Sequence, residues 1–406
     1  LLNCGVAPFY IFGPFFPDFF VSLSCLFFLY IIFKNQDYQY FNNFYFKFFL
    51  LFYVYILLRS FFSNNILLSL ESSLFYIRFI IFSLSISYCL NNYKSFYNLF
   101  LTSLICVYIF LLFDGYFQFI VGVNFLGFEK EVDYRIGGIF RDELVMGSFL
   151  SRTLPLLCAL LFVTKISYFK KNIYILILVC VSSFLIFVTG ERTAFFNFSL
   201  FILIFIFCIR GFNIIKFFII LTIPIVILFA VQKNELVFER MIKHTSNQIG
   251  LFSNSSNIVS YHHDQLYLTA YNMFLDNILF GHGPKLFRDI CDDSKYYIKD
   301  GCNTHPHNTY IQLLAETGLV GFSFIFAIFI YFAYKLTFRL YTNILNYKNN
   351  FVDQFENQRY ALISLFFINL WPIIPTGSFF NNWLSILYFL PVGFYLFNLN
   401  HINNER

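Results

Sequence analysis

The chain has 406 residues, of which 59% are hydrophobic and only 12% charged, with a net charge of +5 at neutral pH. That composition excludes an ordinary soluble domain and a disordered chain alike, and so small a charge gives no basis for a nucleic-acid partner. The 64 Phe and 29 Tyr, with abundant Ile, Asn and Lys, read as the coding bias of an AT-rich genome rather than an aromatic-lined substrate path.

Apolar runs near the length of a bilayer crossing recur from end to end, and lipid leaves a backbone nothing to bond but itself, so the runs are expected to be helices. In chain order they fall at Phe16–Phe33, Phe44–Phe62, Leu74–Leu90, Phe96–Val121, Val145–Thr164, Ile173–Thr189, Ala194–Ile209, Ile214–Val231, Thr309–Tyr334, Tyr360–Ile374 and Trp383–Phe397. Residues before Pro14 read as the tail of a further helix. The expected fold is therefore an all-α polytopic membrane protein of about 11–12 transmembrane helices with one long loop. Three parts follow: helices 1–8 over 1–232, the loop with candidate site residues over 233–308, and helices 9–11 with the C-terminus over 309–406.

Connections alternate in character. Lys34, Lys47, Lys94, Lys165, Lys170, Lys171, Arg210, Lys216, Lys335, Arg339, Lys348 and Arg359 mark one set, which the positive-inside rule assigns to the cytoplasm. The other set holds Glu129 to Glu143, the short Thr189–Thr193 link and the long loop, all expected outside. A start outside with an odd number of spans hints at a helix before Leu1. Seven cysteines sit in or beside apolar runs, where a thiol behaves as a small hydrophobe. Cys291 and Cys302 are the pair in the outer loop. A disulfide there would contribute on the order of 2–3 kcal/mol through loop closure; two free thiols or two metal ligands are the alternatives.

Three segments carry candidate chemistry. Val188-Thr189-Gly190-Glu191-Arg192-Thr193-Ala194 joins two apolar runs with almost no loop, which puts a guanidinium at the membrane boundary, where charge is costly and usually functional. Arg192 can hold a phosphate oxygen bidentately, whereas snorkelling or a local pair with Glu191 are the plainer readings. Six of the seven histidines (His244, His262, His263, His282, His305 and His307) lie between Lys233 and Asn308. A histidine of near-neutral pKa can take a proton from a hydroxyl. His307 is the candidate base, with Asn308 placed to orient its ring and His305, beside Pro306, more structural. The spacing matches no zinc pattern, so no metal and no cofactor is expected. Asp276 to Pro284 carries two glycines around His282 and reads as a tight turn.

In this order the segments resemble the O-antigen ligase and O-antigen polymerase superfamily of bacterial envelope glycosyltransferases. Thr189-Gly190-Glu191-Arg192-Thr193-Ala194 matches that family's small-residue-plus-Arg element. Met273 to Gly283 fits its mF-x-D-x-P-l-x-G-x-G stretch, with Ile278 where proline is usual. His307 to Gly321 matches H-N-x-y-l-q-x-x-x-E-x-G-l-x-G, the most specific of the three. The similarity covers about Gly137 to Val320. One departure stands out: ligases usually place a second Arg before the mF-x-D stretch, and by spacing this chain has His263 there.

The resemblance implies a C-type glycosyltransferase of the inner membrane, acting on its periplasmic face without metal or nucleotide sugar. The donor would be a glycan on undecaprenyl diphosphate. A ligase passes it to lipid A–core, and a polymerase to the next lipid-linked repeat. His307 would take the acceptor proton, Arg192 and a protonated His263 would contact the donor diphosphate, and Glu191 would orient Arg192. Arg135 and Arg141, on another outer loop, are further candidates for donor contact, and Glu316 reads as structural. A flippase for the same lipid-linked glycan is the reading from a different class. It would be expected to show an internal repeat with interrupted helices, and the sequence has none.

Overall fold

The computed structural model describes residues 2–132, 135–233, 235–248, 260–345 and 352–405. Lys348, among the charges assigned to the cytoplasm, lies outside the described residues. In chain order the helices are α1 (Leu2–Phe9), α2 (Phe15–Asn35), α3 (Phe44–Phe61), α4 (Ile66–Ser73), α5 (Ile77–Asn92), α6 (Phe96–Val121), α7 (Met146–Val163), α8 (Tyr168–Val188), α9 (Arg192–Cys208) and α10 (Asn213–Lys233). Short α11 (Glu235–Phe238), a π turn at Glu239–Lys243, α12 (His244–Gln248), α13 (Tyr261–Asp276) and α14 (Phe287–Ile290) follow. The long α15 (Thr309–Leu345), α16 (Gln354–Asn369) and α17 (Asn382–Glu405) complete the chain. Among the described residues no strand forms; one isolated bridge joins Val123 and Glu129.

The protein is a multi-pass membrane protein. By length and composition, nine helical stretches among the described residues can cross a bilayer, counting α4 and α5 as one. This is fewer than the 11–12 expected. The apolar helices Leu2–Phe12 and Arg192–Cys208 are shorter than a full crossing, and α16 opens on the polar run Glu356-Asn357-Gln358-Arg359.

α7 is the hub. Nearly every residue from Met146 to Phe162 is buried, because α6, α8, α9 and α16 surround it. A helix with apolar side chains around most of its circumference needs such a position. α2, α3 and α10 instead leave large side chains such as Leu26, Leu51 and Leu228 exposed, as lipid-facing helices do. α16 packs against α7 and spends its polar side chains locally: the Asn357 amide accepts from Arg210 N and donates to Arg210 O, both at 2.9 Å.

Charges that looked like loop markers turn out to lie within helix ends. Lys171 belongs to α8, is buried, and donates to Phe162 O at 2.6 Å and Gln354 Oε1 at 2.9 Å. Arg339 lies in α15 and pairs with Glu356 at 2.6 Å. These contacts let α8 begin before Ile173 and α15 run past Tyr334.

At one face α8 turns into α9, α10 leads to the loop segments, and α16 turns into α17. The loop segments there build a second, small core from Leu266, Ala270, Met273, Phe287, Cys291 and Ala315. Cys291 and Cys302 are joined by a disulfide across this core's edge, with Cα atoms 5.2 Å apart.

Candidate active site

The link between α8 and α9 is held from below by α7. The Glu191 carboxylate accepts from Gly147 N at 2.6 Å and from Ser148 N at 3.0 Å, the first free amides of α7. A helix N-terminus presents unpaired N–H groups and partial positive charge, so a carboxylate is its natural cap. Glu191 was expected to orient Arg192; its two oxygens instead fasten two helices together. Its burial pushes its pKa up, while the Ser148 contact and the nearby Arg135 charge pull it down. Gly147 is required here, since a Cβ would stand 2.5 Å from Thr189 Oγ1 and 3.0 Å from Glu191 Oε1.

With Glu191 so fixed, α9 opens on Arg192 at this face. The charges of Arg240 and Arg135 act on Arg192 from close by. Arg240, from the π turn after α10, points its Nε at Gly190 O at 3.5 Å, and Arg135 Nη2 donates to Leu144 O at 3.1 Å. Arg240 thus reaches the Gly190–Arg192 corner, and Arg135 is near enough for its charge to act on both Glu191 and Arg192. Arg141 does not join them; its guanidinium stacks on the Phe128 ring at 3.5 Å. Sequence reasoning missed Arg240 because no motif surrounds it, and the signal available was a lone Arg just past an apolar run.

The histidines approach from α13 and from the segment before α15. Ser260 caps α13 and holds His263 Nδ1 with its hydroxyl at 2.7 Å. The His263 and His307 rings lie 5.6 Å apart, and His305 packs on His307 at 4.1 Å between ring centroids. His262 flanks His263 at 6.1 Å. His282 is elsewhere, its Nε2 2.9 Å from Met273 O. Among the described residues no group of three or more His, Cys, Asp or Glu is arranged to hold a metal ion.

Burial, reinforced by mutual repulsion, holds these rings neutral. His263 is lowered to about 4, by burial first and then by the charges of His307, His262 and Arg192. His305 is lowered to about 3 by burial and by His307. His307 is also lowered, by burial and then His262. A neutral His307 is the form that accepts a proton. The protonated His263 expected from the sequence is not the state this surrounding favours. A neutral ring can still give one N–H: if Ser260 donates to Nδ1, the proton of His263 is on Nε2.

His307 has φ of 54°, a left-handed backbone unusual for a side chain of this size. Two contacts hold it there. Its carbonyl accepts from Thr376 N at 2.8 Å. Asn308 next to it caps α15, Oδ1 accepting from Tyr310 N at 2.9 Å and Ile311 N at 3.1 Å, while Nδ2 donates to Pro372 O at 2.7 Å and Ile374 O at 3.3 Å. Asn308 was expected to orient the ring; its amide makes four hydrogen bonds to backbone, which position the chain.

Below this point Gln312 donates to Glu316 Oε2 and to Ser378 Oγ, both at 3.0 Å, and accepts from Phe379 N. Glu316 Oε1 takes Phe287 N at 3.2 Å. The Ile278–Gly283 strap runs alongside, with His282 N on Ala315 O, Gly283 N on Glu316 O and Leu319 N on Ile278 O. Gly281 and Gly318 permit that approach: a Cβ on Gly318 would lie 2.3 Å from Leu279 O, and one on Gly281 2.5 Å from Thr317 N. Arg59 of α3 clamps the strap through Gly281 O at 2.6 Å. The sequence suggested a tight turn here; the glycines in addition serve close backbone packing, and the two-glycine pattern is a joint.

The fold and this face define the class as a many-spanning helical membrane protein with arginines and neutral histidines gathered at one face. Residues 156–326 match the family described as O-antigen ligase. The match takes in Arg192, Arg240, His263, His307 and Glu316 and stops short of the loop that holds His307 in place. No curated protein matches the chain.

Proposed function

We propose that the protein is an O-antigen ligase of the inner membrane, transferring a glycan from undecaprenyl diphosphate to a hydroxyl of lipid A–core at the periplasmic face. The observation that carries this reading is Arg192, its charge felt by His263 of the His263–His307 pair, with Arg240 and Arg135 acting on it in turn. In the reaction the acceptor oxygen bonds to the anomeric carbon as the bond from that carbon to the diphosphate breaks. The acceptor proton passes to His307, and the diphosphate leaves on its polyprenyl carrier. A diphosphate is a good leaving group without protonation, so the site has two tasks: removing that proton and stabilising the departing charge. Arg192 serves the second, supported by Arg240 and Arg135, with His263 offering an N–H. Each step uses side chains alone and routes nothing through a metal.

The polymerase reading differs only in the acceptor, a second lipid-linked repeat, and the histidine standing where ligases usually carry a second Arg keeps it in view. Lipopolysaccharide gels from the native host separate the two, with the gene deleted and restored as wild type, His307→Ala or Arg192→Ala. Core bare of glycan, with long chains left on the carrier, supports the ligase. Core bearing one repeat supports the polymerase. A normal ladder after deletion removes both.

A further inference from the structure

A partly open cavity of about 340 Å³ lies between α3, α15, α16 and α17, away from the Arg192 and histidine side chains. Most of its wall is aromatic, with Phe49, Phe332, Phe366 and Phe389 prominent. Deeper in the bundle its tyrosines satisfy one another, Tyr45 bonding Tyr331 at 3.2 Å and Tyr395 at 3.4 Å. The end nearer the active-site face is different, for Asn369 and Tyr388 line it and Arg152 of α7 stands behind them.

Arg152 is 5% exposed. Its Nη1 donates to Asn369 Oδ1 at 3.1 Å, its guanidinium carbon lies 6.0 Å from the Tyr388 ring centroid, and its Nε is buried without a partner. Among the described residues no carboxylate pairs with it. A cation inside a bilayer with no counter-charge is costly and marks a site that meets one. Because Arg152 occupies Asn369 Oδ1, Asn369 has only its donor end left; Nδ2 is buried and unpartnered, as is the Tyr388 hydroxyl. Those side chains are 3% and 9% exposed. The corner thus holds an unpartnered N–H and an unpartnered O–H, both closed off from solvent and backed by positive charge, at the end of an apolar chamber.

We propose that this cavity binds a single-chain anionic amphiphile of the fatty-acid kind. Its hydrocarbon chain lies among the phenylalanines, and its carboxylate accepts from Asn369 Nδ2 and Tyr388 OH in the field of Arg152. The volume is at the small end of ligand pockets, about 300–1,000 Å³, and so suits one acyl chain rather than a polyprenyl tail. Charge complementarity fixes the head: an alcohol or a neutral lipid would leave the guanidinium unbalanced. The inference does not rest on the glycosyl-transfer reading.

The test uses the full chain in nanodiscs, photolabelled with a diazirine-bearing hexadecanoic acid. Saturable labelling should map to α15–α17 residues of the cavity and be competed by hexadecanoate at least tenfold better than by hexadecanol. Asn369→Asp supplies a resident carboxylate beside Arg152, so it should fold normally and label at least tenfold less. Should that variant fail to fold, Tyr388→Phe removes one donor alone and should weaken labelling several-fold. Equal competition by the alcohol would overturn the proposal in favour of a merely greasy cavity. Full labelling of Asn369→Asp, or of Tyr388→Phe where it is the variant read, would also overturn it. So would competition by a polyprenyl phosphate as strong as by hexadecanoate, and so would labelling confined to lipid-facing helices, which would mean a hydrated corner.

Discussion

Asn308→Ala is the most informative single change. The side chain makes four backbone bonds, two as the cap of α15 and two to the carbonyls of Pro372 and Ile374. Loss of a cap costs about 0.5–2 kcal/mol, and each buried carbonyl left without a donor costs about 1–3 kcal/mol. Taken together, roughly 2.5–8 kcal/mol is at stake at one of the two contacts that hold the left-handed backbone of His307. The loss is local, so the bundle should remain folded while His307 drifts. A displacement near 1 Å at a reacting group can cost on the order of 100-fold in rate. In proteoliposomes with lipid-linked donor, Asn308→Ala should therefore lower kcat by about that factor, with KM for the donor little changed. Asn308→Ser keeps a capping oxygen and loses the bridge, and should fall between. Wild-type kcat in Asn308→Ala at matched protein level would refute the reasoning.

Other tests follow from the same geometry. The proton affinity of His307 is lowered from the ordinary histidine value near 6.5, so transfer should be flat through neutral pH and fall only as acid protonates the base; a rate rising steeply between pH 7 and 9 would assign the proton to another group. Folded pKa values of about 4 for His263 and about 3 for His305 lie below the unfolded value. The unfolded chain then binds more protons, and thermal stability should drop as pH falls from about 6.5 toward 3. Arg240→Ala should reduce kcat/KM for the donor by about 10- to 100-fold, the worth of one charge-assisted hydrogen bond to phosphate, and Arg240→Lys should recover only part; unchanged donor kinetics would remove Arg240 from the site. Gly318→Ala carries a backbone φ of 63° and a clash with Leu279 O, so the strap should detach and the melting temperature fall, with protease cutting near Asn277–Gly281 as the readout.

The sequence made the spans legible because lipid imposes apolar runs, and α6 begins and ends where hydropathy places it. It misjudged ends where a charge is satisfied by folding: Lys171 by hydrogen bonds to Phe162 O and Gln354, Arg339 by the Glu356 carboxylate. His307, His263 and Arg192 were legible as a group because a motif or a boundary position singles each out. The roles of Glu191 and Asn308 were not, since Gly147 and Pro372 are far from them in the chain and only folding reveals which backbone groups lack partners. Arg240 and Arg152 carry no local pattern, and their significance lies in what surrounds them in three dimensions.

The hydrogen bond from Thr376 to the carbonyl of His307 has a bearing on how such proteins can be recombined. The segment that carries the histidine and the segment that holds it upright are separated by α15 and α16, and only the first falls inside the family-matched region. A chimera made by exchanging residues 156–326 alone would import a histidine without its anchor. Swaps meant to exchange acceptor choice should carry residues 370–379 as a matched pair with the segment around His307.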